Sequence, residues 1–272
     1  MDLIRAIVIA IVEGLTEYLP VSSTAHMIFT SSLYGIQEDE FVKMFQVSIQ
    51  FGAILAVVFL YWKKFLDFSN IKFYLKLAVA VIPALVLGYL FDDMIESVLG
   101  DPVPIAVVLI LGGIVLLFID RFFTQHTVHD EKEITYKKAF TIGLWQCLAM
   151  MPGVSRSAAS IIGGMQQKLT RVAAAEFSFF LAVPTMLAVT TYSIFLKKWN
   201  HHGVEQKGYE MIFANSENTT SFFVGNAVAF IVAIIAIKFF IGVLTKYGFK
   251  PWGWYRIIVG ILLLIYFTQF NK

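Results

Sequence analysis

Glu13 and Glu17 stand four residues apart, a spacing that puts both carboxylates on one face of a helix. They lie in apolar sequence, between Ile9-Ala10-Ile11-Val12 and Tyr18-Leu19. Two such carboxylates repel and take up protons unless a cation sits between them. Mg²⁺ is commonly held in this way, by one or two carboxylates together with substrate phosphate oxygens. Pro20 then breaks the helix, and Ser22-Ser23-Thr24 can cap the one that follows. The free N–H groups of a helix start also make it an anion site. His26 is one turn beyond Ser23, where it can exchange protons with a serine hydroxyl or a leaving group. A second cluster, Pro152-Gly153-Val154-Ser155-Arg156-Ser157, holds a guanidinium between two hydroxyls. Arg stays charged when buried and grips phosphate oxygens with a planar fork. Taken together, the clusters describe a buried site for a metal-bound phosphate.

Each group also has a plainer reading. The carboxylates can be a solvated pair at an interfacial helix end, the serines can only cap, His26 can only be hydrogen-bonded, and Arg156 can simply neutralise Glu13 or Glu17. Their setting weighs against these readings. An ionisable group at membrane depth costs at least ~2.5–3.5 kcal/mol on insertion scales and usually marks a substrate, ion or proton site. Of 272 residues, 58% are hydrophobic and 15% charged, and the mean hydropathy is +0.74. A soluble domain would carry about 25% charged residues. The composition is that of an integral membrane protein. Lys and Arg are scattered among short loops rather than gathered in one stripe, which argues against nucleic-acid binding. Cys147 is the only cysteine, so there is no intrachain disulfide and no cysteine-rich metal site. Asp2 before Arg5, and Glu13 within the apolar stretch, do not fit a cleavable signal peptide.

A bilayer-crossing helix needs ~20 mostly apolar residues. Six segments qualify: 42–62, 72–92, 103–122, 176–196, 221–243 and 253–270. Two further apolar stretches, 3–33 and 138–166, are interrupted near the middle by Pro and small polar residues. Irregular backbone at membrane depth is tolerated where protein or a water-filled cavity surrounds it. Both stretches therefore read as re-entrant helical hairpins, with a kinked single span as the alternative. The halves resemble each other. Arg5-Ala6, Glu13 and Val21-Ser22 match Lys138-Ala139, Gln146 and Val154-Ser155 at an offset of 133, and Leu55-Ala56-Val57 matches Leu187-Ala188-Val189 at 132. The expected fold is an all-α polytopic membrane protein, a single domain over 1–272. It comprises two repeats of opposite orientation, 1–124 and 136–272, each with one hairpin and three spans. Such repeats bring broken helices together near the midplane.

Loop charge orients the chain. With the N-terminus outside, Lys63, Lys64, Lys72, Lys76, Arg121, Lys137, Lys138, Lys168, Arg171, Lys246 and Lys250 fall on the cytoplasmic side. The loop holding Asp92, Asp93, Glu96 and Asp101 falls outside and carries no Lys or Arg; Lys197, Lys198 and Lys207 run against the scheme.

Glu13-Gly14-Leu15-Thr16-Glu17, with Leu19-Pro20-Val21-Ser22-Ser23-Thr24-Ala25-His26 and Pro152-Gly153-Val154-Ser155-Arg156-Ser157, closely resembles the undecaprenyl-diphosphate phosphatases of the bacitracin-resistance type. Glu176-Phe177-Ser178-Phe179 and Leu181-Ala182-Val183-Pro184 are similar to that family too. The sequence departs from the family pattern at Ala25, where Gly is usual, and at Ala158-Ala159-Ser160, where Gly-Ala-Thr is usual. The resemblance covers nearly the whole chain. It implies hydrolysis of undecaprenyl diphosphate, drawn from the bilayer, to undecaprenyl phosphate and inorganic phosphate, with a divalent cation, Mg²⁺ or Ca²⁺. It further implies a bacterial cytoplasmic membrane and a site open to its outer face. Carried over by motif, Glu17, Ser23, His26 and Arg156 are catalytic, Ser22, Thr24, Ser155 and Ser157 bind substrate, and Glu13 and Glu17 hold the metal. Two routes fit: attack by Ser23 with His26 as its proton partner, which is favoured, or attack by metal-activated water. The alternative class is a transporter or flippase of a phosphorylated polyprenyl lipid, because inverted repeats with broken helices are transporter architecture. A homodimer is compatible with the sequence, which does not fix the oligomeric state.

Overall fold

Where the sequence interrupts an apolar stretch with Pro and small polar residues, the chain breaks into short helices. The computed structural model describes residues 1–91, 102–201 and 203–269. The acidic residues Asp92, Asp93, Glu96 and Asp101, and His202, lie outside the described residues. The stretch 3–33 becomes α1 (Leu3–Thr16) and α2 (Ser23–Leu33), with a turn between them. The stretch 138–166 becomes α8 (Tyr136–Gln146) and α9 (Arg156–Gln166), joined by a 3-10 turn and a loop. These helices have 14, 11, 11 and 11 residues, each too short to cross a bilayer.

The remaining elements are α3 (Glu40–Ser48), α4 (Gln50–Leu60), α5 (Trp62–Phe65), α6 (Ile71–Leu90), α7 (Pro102–Phe122), α10 (Arg171–Thr191), α11 (Gly208–Ile212), α12 (Ser216–Tyr247) and α13 (Lys250–Gln269). Among the described residues, six helical runs are long and apolar enough to cross a membrane, and they match the six expected segments. The first of them, Glu40–Leu60, has a step at Ile49 between α3 and α4. Ser48 causes a local conflict there: its hydroxyl donates back to the Met44 carbonyl at 2.8 Å, a bond that bends helices. The third-last run, Arg171–Leu196, ends in a π-helical turn, and an antiparallel hairpin of Lys198–His201 with Val204–Lys207 follows. That hairpin is an addition to the expected all-α outline; Gly203, at φ +81°, sits in its turn.

The helices pair across the two halves. α1 packs along α12, α8 along α6, α4 along α12, α10 along α6 and α7 along α13, while α4 meets α10. The main core lies between these pairs and is rich in Phe, with Phe177, Phe179, Phe180 and Phe240 fully buried around Tyr18. Large side chains such as Phe59, Leu111, Phe223 and Ile235 point outward, as suits spans surrounded by lipid. Two cross-half contacts bring backbones together through glycine. A Cβ on Gly52 of α4 would lie 2.2 Å from the Asn226 carbonyl oxygen of α12, and one on Gly143 of α8 would lie 2.1 Å from that of Ala80 on α6. Small residues that let backbones approach are how membrane helices gain packing energy without a hydrophobic driving force.

Gly52→Ala and Gly143→Ala should each push a helix pair apart and destabilise the protein by about 1–3 kcal/mol. Thermal unfolding in detergent checks this, and a melting temperature equal to that of the wild type would refute the close-approach role.

Candidate active site

Both breaks end in a serine forced into a left-handed backbone conformation, Ser22 at φ +71° and Ser155 at φ +78°. Such angles are uncommon for residues other than Gly, and they cluster at functional sites. Each serine caps the helix it precedes. Ser22 Oγ accepts from the Ala25 amide at 3.5 Å, and Ser155 Oγ accepts from the Ala158 amide at 3.2 Å. The two caps are the residues that match at the offset of 133. The sharp turn sends the next residue, Ser23 in one break and Arg156 in the other, into the space between the breaks.

There Glu17 joins them. Its Oε2 accepts from Ser23 Oγ at 2.5 Å, and its Oε1 accepts from Arg156 Nη2 at 3.0 Å and Nε at 3.3 Å. Arg156 is also held by the Ser178 carbonyl, which takes Nη1 at 2.9 Å. Ser157 donates to the Tyr18 carbonyl at 2.8 Å, a strut between the two breaks rather than a group facing open space. Glu17, Ser22, Ser23, Thr24, Ser155 and Arg156 all line one cavity of about 460 Å³. Its remaining wall is mostly apolar, from the later halves of α6 and α10, with Leu85, Tyr89, Met186 and Val189.

Glu13 is fully buried, and neither carboxylate oxygen has a hydrogen-bond partner. Its neighbours are Glu17, Ser23 and Arg156. A buried carboxylate with both oxygens orphaned is a poor structural element, but a good ligand for a hard cation. Among the described residues no three acidic, His or Cys side chains gather to form a complete cage. Two carboxylates leave the remaining positions to phosphate oxygens and water, the usual arrangement for Mg²⁺. The residues present therefore fit the expected divalent cation.

One expected pairing is corrected. The sequence reading joins Ser23 to His26, but Ser23 is bonded to Glu17, and His26 faces α13. Its Nε2 meets the Tyr255 hydroxyl at 2.9 Å, its Nδ1 meets the Ser22 carbonyl at 2.8 Å, and its ring stacks on Tyr255 with centroids 5.7 Å apart. The reason is the helix that lies opposite: Tyr255 of α13 and the Ser22 carbonyl take both ring nitrogens. His26 anchors α2 to α13.

The sequence reading passes over Arg256. This guanidinium is fully buried in α13 and donates to four carbonyls: Pro20 at 3.1 Å, Val154 at 3.0 Å, Gly153 at 2.7 Å and Leu109 at 3.1 Å. Three of the four belong to the two breaks. An Arg inside the apolar stretch 253–270 was itself the signal, by the same membrane-depth cost that singled out Glu13.

The sequence model of a family described as bacitracin resistance protein BacA matches residues 6–262. An undecaprenyl-diphosphatase of Flavobacterium psychrophilum is 54% identical over 97% of this chain and 96% of its own. Those of Porphyromonas gingivalis and Bdellovibrio bacteriovorus are 52% and 46% identical over the same shares.

Arg256→Met should leave carbonyls of both breaks without partners, each at a cost of about 1–3 kcal/mol. The variant is expected to melt well below the wild type in detergent, with Arg256→Lys, which keeps some donors, in between. Equal melting of all three would remove the stapling role.

Proposed function

The chain belongs to the bacitracin resistance protein BacA family, and on that premise we propose that it hydrolyses undecaprenyl diphosphate to undecaprenyl phosphate and inorganic phosphate. The observation that carries this reading is Glu17, shared between the hydroxyl of Ser23 and the fork of Arg156 at the end of an apolar-walled cavity. A polyprenyl diphosphate has the matching form: a polyanionic head and a long hydrocarbon tail. The polar end takes the phosphates, between the starts of α2 and α9, whose free N–H groups favour anions. Leu85, Tyr89, Met186 and Val189 take the first part of the prenyl chain.

An unactivated serine is a poor nucleophile and needs an adjacent base. Ser23 has one in Glu17, which accepts its proton as Oγ attacks the terminal phosphorus. Arg156 holds the equatorial oxygens, where charge collects in the transition state. The P–O bond to the lipid phosphate breaks with its electron pair on the lipid phosphate, and Ser23 carries the phosphoryl group until water removes it. A divalent cation, Mg²⁺ or Ca²⁺, supplies charge neutralisation at the phosphates, with Glu13 and Glu17 as its protein ligands. Ser22 and Ser155 fix the helix starts, Thr24 lines the phosphate end, and His26 holds α2 in place. A transporter needs no hydroxyl paired with a carboxylate, and this pairing favours the hydrolytic reading.

The membrane setting follows from the same residues. α1 with α2, and α8 with α9, serve as re-entrant hairpins whose breaks meet near the midplane. The helix pairings exchange under a two-fold that swaps the halves: α1 on α12 goes over to α8 on α6, and α4 on α12 to α10 on α6. That exchange supports the inverted repeats. The cavity draws on the later halves of α6 and α10, the ends remote from Lys72, Lys76, Lys168 and Arg171, which supports an opening on the outer face of the bacterial cytoplasmic membrane. Release of the carrier there recycles it for cell-wall synthesis and removes the form that bacitracin targets.

Purified protein should release phosphate from a C55 diphosphate, and a chelator should stop it. Ser23→Ala is expected to lose nearly all turnover, and Arg156→Lys on the order of 10²-fold. Substantial turnover by Ser23→Ala would overturn the covalent route. For orientation, single cysteines at Asn215, Lys132 and Lys246 in a Cys147→Ser background should react with an impermeant thiol reagent in intact cells only at position 215. Labelling at 132 would overturn the topology.

A further inference from the structure

Of the polar residues that line the cavity, Gln50, Gln146, Thr185 and Tyr192 are not used by the chemistry above. Gln146, the last residue of α8, lines the cavity and is 97% buried by its 3% exposure. Its amide donates to Thr185 Oγ1 at 3.2 Å. Thr185 spends its own hydroxyl hydrogen on the Leu181 carbonyl at 2.7 Å, so its oxygen can only accept. This fixes which way round the amide lies: NH₂ towards Thr185, carbonyl oxygen away from it. That carbonyl oxygen, Oε1, is buried and has no hydrogen-bond partner.

An oriented acceptor left without a partner in the wall of a cavity calls for a donor. The substrate does not provide one, because ionised diphosphate oxygens are acceptors and the prenyl chain has no polar hydrogen. A cation is poorly served, since the carboxylates Glu13 and Glu17 belong to the other break and a lone amide oxygen adds no charge. Water, the second substrate of the hydrolysis, is a donor of the right size. We propose that Gln146 is a positioning residue that holds the water consumed in the reaction, with Thr185 setting the orientation of its amide. A water donating one hydrogen to Oε1 has a lone pair free to face the phosphorus, and a glutamine orienting an attacking water has precedent in phosphoryl transfer.

The inference rests on the phosphatase reading with Ser23 as nucleophile. In the second half of that reaction the water oxygen forms a new bond to the phosphorus carried by Ser23. The bond from phosphorus to Oγ breaks with its electron pair on Oγ, which takes back the proton held by Glu17. Both water hydrogens begin on inorganic phosphate, and one is released to solvent.

Gln146→Met keeps the length of the side chain and removes the acceptor. Thr185→Val keeps the amide and removes what orients it. On C55 diphosphate, Gln146→Met should lower kcat on the order of 10²-fold, as misplacement of a reactant does, and lower KM with it, so that kcat/KM stays within about twofold of the wild type because only the second half of the reaction slows. Thr185→Val should lower kcat less, again with kcat/KM kept. Quenched reactions of Gln146→Met should show more phosphoserine at position 23 than the wild type. An unchanged kcat, a rise in KM alone, a fall in kcat without phosphoserine build-up, or a shifted Mg²⁺ titration would each overturn the proposal. A wild-type protein that releases no phosphate would instead remove the underlying reading, and the inference with it.

Discussion

A helix broken inside an apolar interior exposes carbonyls that its apolar surroundings cannot satisfy, and everything else in this protein depends on how that problem is solved. The solution is a guanidinium. Arg256 meets Pro20 from one break and Gly153 and Val154 from the other, with Leu109 as a fourth acceptor. Arg suits this task because its donors are fixed in a plane and its charge persists when buried. Lone charges in low dielectric are expensive, and among the described residues no carboxylate pairs with this one; four carbonyls do. The charge and the orphaned carbonyls answer each other, so two irregular turns from opposite halves become a single rigid object. Tyr18 and Ser157 add a second link across the same gap.

Rigidity there has a chemical purpose. Ser22 and Ser155 adopt backbone angles that cost of order 1–3 kcal/mol each, and such angles persist only where the surroundings over-determine them. They turn Ser23 and Arg156 towards Glu17. In the proposed reaction Glu17 would have two duties, accepting a proton from Ser23 and helping to hold the cation. Arg156 holds Glu17 by two donors of its fork, Nη2 and Nε. Glu13, with both oxygens orphaned, is the other carboxylate that the proposed cation would take.

Much of this was legible in the chain. The six spans, both broken stretches and the cluster of Glu17, Ser23, Ser155 and Arg156 follow from apolar length, from Pro, and from polar groups too costly to be idle. The geometry inside the cluster was not legible. His26 is the right distance along the helix for Ser23 but on the wrong side, and only the position of α13 decides that. Arg256 and Gln146 were present as residue types, but their roles depend on segments over 100 and nearly 40 residues away, respectively Val154 and Thr185. Sequence spacing reports neighbours along one helix; it is silent on which helix lies opposite. The step at Ile49 and the hairpin after Leu196 were missed for another reason, since both arise from local hydrogen bonding that apolar length does not register.

The exchange of partners between halves carries a consequence for biosynthesis. Pro20 and Arg256, which meet in the finished protein, are 236 residues apart in the chain. At about 5–20 residues per second, synthesis leaves on the order of 10–50 s between their appearances. During that interval α1 has no α12 to pack on, and the Pro20 carbonyl has no Arg256. Glu17 gains Arg156 earlier, once α9 has been made, but the joining of the two breaks through Arg256 waits for the last helix. Assembly waits on the C-terminal end, and a chain truncated before α13 would lose the completed first half as well as the helix it lacks.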